Sequence, residues 1–196
     1  MPNWCLNRLV VTGAPGDCAE FRALAQGTGP TYGRDGTRCE HASLVAPTER
    51  PVLPLSFHAT VPVPDDVLAA DAQDAVAEWQ QLHWGSKWEL TQDTVVEERA
   101  DGCLAYTFHT PWAPPEAWLR RVAQAFPWLN FALGYFEPGM VFCGVLRLRA
   151  RGGWDAWYAE EDVSALVALA RDWFDLDVSE LLDDSDRVDD AQPGAH

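Results

Sequence analysis

The strongest constraint on this chain is the order of its strand-like and helix-like segments. Asn7 to Thr12 (Asn-Arg-Leu-Val-Val-Thr) is a short β-branched run ended by Gly13, which suits a strand. Ala14-Pro15-Gly16-Asp17 is a turn whose Asp17 can cap a helix from Cys18 to about Gln26. Phe21 and Leu24 then face the core, and Gly27 stops the helix. Leu55 to Val61 alternates as a strand does, and Pro62-Val63-Pro64 ends it. Asp65-Asp66 opens a short helix, and Asp71 to Leu82 reads as another, with Val76, Trp79 and Leu82 along one side and Gly85 breaking it. Thr94 to Glu97 and Cys103 to His109 form a hairpin around Ala100-Asp101-Gly102. Pro111 to Glu116 starts a helix with a proline at its first position, and Trp118, Val122 and Phe126 follow at core spacing. Asn130 to Phe136 and Val141 to Leu148 are two strands joined by the tight turn Glu137-Pro138-Gly139-Met140.

Two strand-and-helix halves around one mainly antiparallel sheet describe an α+β, ferredoxin-like split β-α-β arrangement with helices on one face. This domain is expected over residues 1–153, with a loop-rich insertion at 28–54 that has many Gly, Pro, Thr and Arg residues and no periodicity. Beyond Gly152-Gly153 the character changes. Glu160-Glu161-Asp162 favours a helix start, and Val163, Leu166, Val167, Ala170, Trp173 and Phe174 make an apolar stripe. Residues 154–182 therefore read as an acidic helical extension, and 183–196 as a disordered acidic tail.

Charge narrows the partners. The net charge is −16, and the segment from Asp155 onward, with 13 acidic and 2 basic residues, carries −11 of it. Phosphate binding depends on Lys and Arg, so nucleic acid is disfavoured as a partner. Apolar runs fall short of the ~20 residues of a membrane span, and Met1-Pro2-Asn3-Trp4-Cys5 has no charged n-region, which predicts a cytoplasmic protein that does not engage the membrane. The five cysteines (Cys5, Cys18, Cys39, Cys103 and Cys143) are scattered and read as reduced, mostly buried thiols. Cys39 and His41 supply two ligands where zinc takes four, so no metal or other cofactor is expected.

Several motifs together resemble the YubB-type ferredoxin-like proteins of bacterial plasmids and phages. They are Met1-Pro2-Asn3-Trp4-Cys5-Leu6-Asn7-Arg8-Leu9, Leu55-Ser56-Phe57 with Val61-Pro62-Val63-Pro64, and Trp84-Gly85-Ser86-Lys87-Trp88. Phe108-His109-Thr110-Pro111-Trp112-Ala113-Pro114-Pro115 and Tyr135-Phe136-Glu137-Pro138-Gly139 complete the set, in order, over roughly residues 1–150. The resemblance implies the ferredoxin-like topology and a mobile-element background. It implies no iron–sulfur cluster, whose cysteine spacing is missing, and no particular activity. The 28–54 insertion and the acidic C-terminal segment depart from the pattern.

The binding candidates are Asn3, Asn7, Trp84, Lys87, Trp88, Trp112, Tyr135 and Glu137. The tryptophans flank loops, where aromatics anchor interfaces, although covering the sheet would explain them too. Lys87 is the only lysine beside 13 arginines; a compact ammonium does what a guanidinium cannot, yet it could equally be a compositional accident. Asn3 and Asn7 suit backbone capping, Glu137 a turn, and His109 a strand end. Without a nucleophile–base pair or phosphate loop, no catalytic residues are assigned, and the leading expectation is a non-enzymatic module that binds a host or element-encoded protein. One alternative is an enzyme or ligand-binding protein for a small or nucleotide-like substrate, centred on Lys87. The other is a single-strand nucleic-acid binder. Lys87, Glu137 and Asn7 meeting in one pocket would favour the enzyme.

Overall fold

Alternation sets the central strand. β1 (Trp4–Thr12) buries every second residue, so Cys5, Asn7, Leu9 and Val11 face one side of a sheet. In this computed structural model, which describes residues 3–29, 31–32, 43–44, 51–69, 73–99 and 101–178, β1 lies between two antiparallel neighbours. The elements are, in order, β1, α1 (Pro15–Ala25), β2 (Thr31–Tyr32), β3 (Ser43–Leu44), α2 (Phe57–Thr60), α3 (Asp65–Leu68), α4 (Gln73–Trp84), β4 (Val95–Glu98), β5 (Leu104–Pro111), α5 (Glu116–Ala125), β6 (Asn130–Glu137), β7 (Phe142–Leu148), β8 (Trp154–Glu160) and α6 (Val163–Phe174). β2 and β3 pair with each other, and the remaining strands form one antiparallel sheet in the order β4-β5-β1-β6-β7-β8. Most of the 28–54 insertion, with Arg34, Arg38, Cys39, His41 and Arg50, lies outside the described residues, as does the 183–196 tail.

One face of the sheet carries the larger core. Leu9, Val11, Tyr106, Phe108, Phe131 and Leu133 meet Phe21 of α1, Phe57 of α2, Trp84 of α4 and Trp118 of α5. Phe21 sits edge-on to Tyr106, Phe126 and Phe131, a geometry that aromatic rings prefer. The helices before and after the β4–β5 hairpin thus cover the same face, as the ferredoxin-like pattern requires.

Four local expectations need correction. Leu55 to Val61 is not a strand: Ser56 caps the N-terminus of α2, its side chain accepting from the Ala59 N–H. Asp17 is not the cap of α1 but lies in its first turn, after the N-cap Ala14 and the proline that opens the helix. Leu24 and Leu82 point to solvent. The prolines before α5 precede the helix, with Pro115 at the N-cap.

The segment after Gly153 differs most. The 154–182 stretch, read as a helical extension with its helix start at Glu160-Glu161-Asp162, instead opens with a strand: residues 154–160 form β8, paired in register with β7 from Phe142↔Glu160 to Leu148↔Trp154. Gly152 and Gly153, with φ of 103° and 92°, make the turn between them, a conformation open to glycine at no steric cost. The expected stripe does form α6, capped by Asp162 and ended by Asp175 in the left-handed region. It crosses to the opposite face, where Leu166, Leu169 and Ala170 pack with Phe136, Cys143 and Val145 in a second core. Gly134 allows this approach, since a Cβ there would lie 2.3 Å from the Trp173 ring.

Candidate functional site: an aromatic corner at one end of the sheet

Antiparallel pairing gathers distant segments at one end. Trp4 is opposite Pro111 and Leu6 opposite Phe136, so the start of β1, the end of β5 and the β6–β7 turn are neighbours. The loop after α4 joins them. Gly85 has φ +80°, and a Cβ there would lie 3.2 Å from the Pro114 carbonyl oxygen. Glycine therefore supplies both the left-handed turn and the close approach that set this loop against the chain leading into α5. Ser86, buried, donates to the Trp88 carbonyl at 2.9 Å and fixes the tip of the loop.

The tip places Trp88 and Lys87 beside Trp112. The Trp88 and Trp112 rings are 5.5 Å apart, Trp4 and Trp88 are 6.1 Å apart, and the Lys87 ammonium lies 5.5 Å from the centre of the Trp112 ring. A cation over an indole face at that range is attractive by about 0.5–1 kcal/mol where exposed. Lys87 is exposed, Trp88 and Trp4 are half-buried, and Trp112 keeps 40% of its surface in solvent. Trp112 also has φ +61°, a left-handed conformation that costs a residue with a side chain roughly 1–2 kcal/mol.

Buried polar residues hold this strained corner. Asn7 donates to the Thr110 hydroxyl at 2.8 Å and to the Cys5 carbonyl at 2.9 Å. Thr110 donates in turn to the Ala113 carbonyl at 2.7 Å, and the Trp112 N–H donates to the Asn3 carbonyl at 2.8 Å. Asn7 therefore acts through Thr110 on the chain around Trp112, and it is fully buried. Glu137, also buried, accepts from the N–H groups of Gly139 and Met140 at 2.7 and 2.6 Å and closes the β6–β7 turn. That turn rests on Asn3, whose amide nitrogen would lie 2.8 Å from a Cβ at Gly139.

The eight candidates thus divide. Lys87, Trp88 and Trp112 form one surface cluster, with Asn3 as its backbone anchor. Asn7 and Glu137 serve the framework, and no hydrogen bond or ion pair joins Lys87 to either of them. Trp84 is core, donating its indole N–H to the Val61 carbonyl at 2.9 Å. Tyr135 is buried and donates to Glu116 at 3.2 Å; burial first, then the Glu116 charge, push its phenol well above the ordinary range. His109, on the other face of β5, lies 3.5 Å from Asp93.

Two residues of this region escaped the sequence reading. Trp4 completes the aromatic row, and its place in an alternating strand beside Cys5 was the available signal. Glu89 is a buried carboxylate two residues beyond Lys87. It accepts from the N–H groups of Phe57, His58 and Leu90 and from the Ser56 hydroxyl, all at 2.8–2.9 Å. Burial raises its pKa, and those four donors oppose the rise. Among the described residues, no group of three or more His, Cys, Asp or Glu is placed to hold a metal ion. No helix in them is long and apolar enough to cross a membrane.

A sheet of order β4-β5-β1-β6 with α1 and α5 on one face, widened by β7 and β8, defines a ferredoxin-like α+β domain. Residues 83–178 match the family model described as the ferredoxin-like domain in Api92-like protein, a span that begins at the end of α4 and includes β8 and α6. A solved structure, the protein api92 from Yersinia pseudotuberculosis, resembles the chain with a TM-score of 0.59 over 84% of this chain and 99% of that one. At 11% identity this likeness is one of fold. No curated protein matches the sequence.

Proposed function

We propose that this chain is a non-enzymatic interaction module that binds a protein through the corner formed by Trp4, Trp88, Trp112 and Lys87. The observation that carries this reading is the exposed Trp112 held in a strained backbone conformation, with Lys87 over its ring. Strain of that kind persists where the surroundings enforce it, and it concentrates at binding sites. Tryptophan is the residue type most often found as an interface anchor. A catalytic reading would need polar groups converging on Lys87, whereas Asn7 and Glu137 spend their hydrogen bonds on the framework. The resemblance to plasmid and phage YubB-type proteins supports a partner encoded by the host or by the element itself.

The test is affinity capture from the native host on immobilised full-length chain, in parallel with Trp112→Ala, Lys87→Met and Lys87→Arg. A central tryptophan contributes about 2 kcal/mol or more, so Trp112→Ala should weaken the captured protein about thirtyfold. Lys87→Arg should also weaken it if the compact ammonium matters. Capture of a nucleic acid or a small molecule in place of a protein, or a protein that binds Trp112→Ala as well as wild type, would refute the proposal.

A further inference from the structure

The two edges of the sheet differ. β4 spans four residues and carries Glu97 and Glu98, with Glu97 paired to Arg8 at 2.9 Å and Glu98 to Arg22. A strand this short offers few open backbone groups, which is an ordinary protection against edge-to-edge pairing. β8 is seven residues long and exposes Trp154 (63%), Trp157 (47%) and Tyr158 (54%). Its one aspartate, Asp155, is paired with Arg147 of β7 at 3.4 Å and with Arg149, just beyond β7, at 2.5 Å. An edge this long and aromatic has the properties of a strand that pairs with another.

Among the described residues no strand pairs with the outer side of β8, and the ladder indicates which of its backbone groups face that side. The Glu161 N–H donates to the Val141 carbonyl, and hydrogen-bonded pairs alternate along an antiparallel ladder. Ala159, Trp157 and Asp155 therefore turn their backbone groups toward β7. Those of Trp154, Ala156, Tyr158 and Glu160 face outward. A second β8 running antiparallel about a two-fold axis at Trp157 would set Ala156 opposite Tyr158 and Trp154 opposite Glu160. Both pairs join outward-facing residues, so every open group meets a complementary one. Trp157 meets its own copy in a non-hydrogen-bonded pair, where side chains come closest. Asp155 falls opposite Ala159 and Glu160 opposite Trp154, so no acid faces another. Among two-fold registers of this strand, only this one pairs all seven residues.

We propose that β8 is a homodimerisation edge, and that two copies of this chain join through Trp157 into one continuous antiparallel sheet of twice the width. The surface lies apart from the Trp112 corner, so the inference stands whether or not that corner binds a protein. A single strand pair is small beside a standard interface, and the net charge of −16 on each chain opposes it. Association is therefore expected to depend on concentration and to strengthen as added salt screens the repulsion.

Sedimentation equilibrium of the full chain at increasing concentration and salt tests this, with the monomer at 21.8 kDa. Wild type should approach twice that mass. Trp157→Lys, which sets two ammonium groups opposite each other, should stay monomeric with an unchanged circular dichroism spectrum. Trp157→Cys keeps the proposal testable even if the lysine variant misfolds. Treated with oxidised glutathione, which takes the two electrons and two protons of the paired thiols, it should form a covalent dimer. Trp154→Cys, opposite Glu160, and wild type should not. A wild type that remains monomeric overturns the proposal, as does a dimer that survives folded Trp157→Lys, or cross-linking of Trp154→Cys as readily as Trp157→Cys.

Discussion

Removing the Glu89 carboxylate is expected to be among the most damaging single changes in this protein. Its Oε1 accepts from the N–H groups of Phe57 and Leu90, and its Oε2 accepts from the Ser56 hydroxyl and the His58 N–H. Ser56, Phe57 and Leu90 are themselves buried. Each buried donor left without a partner costs about 1–3 kcal/mol, so Glu89→Ala should lose roughly 3–5 kcal/mol once water relieves part of the deficit. Against a domain stability of about 5–15 kcal/mol that is a large fraction. Glu89→Gln keeps one acceptor oxygen. If its amide replaces Oε2, the Ser56 hydroxyl can turn to accept and only the His58 N–H is opposed, a loss of about 1–2 kcal/mol. Urea titration reads both as a fall in midpoint at constant slope. The pH dependence has a definite sign. Because burial raises the folded pKa of Glu89 above its unfolded value, the native state binds the extra proton between the two. Wild-type stability should therefore fall as pH rises through that window and level off above it, while Glu89→Gln lacks this contribution. An alanine variant within about 1 kcal/mol of wild type, or equal losses for alanine and glutamine, would refute the account.

Two further outcomes are expected. Gly134→Ala should cost about 1–3 kcal/mol through overpacking against the Trp173 ring, and the penalty should shrink in a Trp173→Ala background; additive losses in a urea double-mutant cycle would place the strain elsewhere. Burial pushes the thiols of Cys5, Cys18, Cys103 and Cys143 upward, Cys143 to about 11. These four should resist an aromatic disulfide reagent in native protein at neutral pH, and all five cysteines of the chain should titrate after denaturation without reductant; fast native labelling at any of the four would contradict their packing.

The parts legible in the sequence are those determined by neighbours along the chain. β1, β5, β6 and β7 alternate or run apolar because one or both of their faces are covered, and α5 shows its core side as Trp118 and Val122, with Phe126 just beyond its end. Leu55 to Val61 misled because its alternation resembles a strand, while the group that stabilises its helix, Glu89, lies more than thirty residues away. β8 was hidden for the opposite reason: as an edge strand exposed on both faces it has no buried period to read. The stripe of α6 announced an amphipathic helix but could not tell which face of the sheet it would cover. At the site, Trp88 and Trp112 were visible as loop aromatics. Trp84 was not separable from them, since only the turn of the chain at Gly85 decides that its indole points inward.

The central place of β1 has a consequence for the birth of the protein. Leu9 pairs with Tyr106 on one side and Leu133 on the other, so β1 is made long before either of its partners. At about 5–20 residues per second, a ribosome needs on the order of 10 s to synthesise the chain from β1 to the end of β6. Until β5 has been made this β-branched segment has neither edge satisfied, and its second edge waits for β6. Its native neighbours are long-range, and such pairings form slowly because loop closure must precede them. The growing chain is thus a natural client for a chaperone that recognises short extended apolar segments, and circular permutants that move β1 next to β6 should fold with less help.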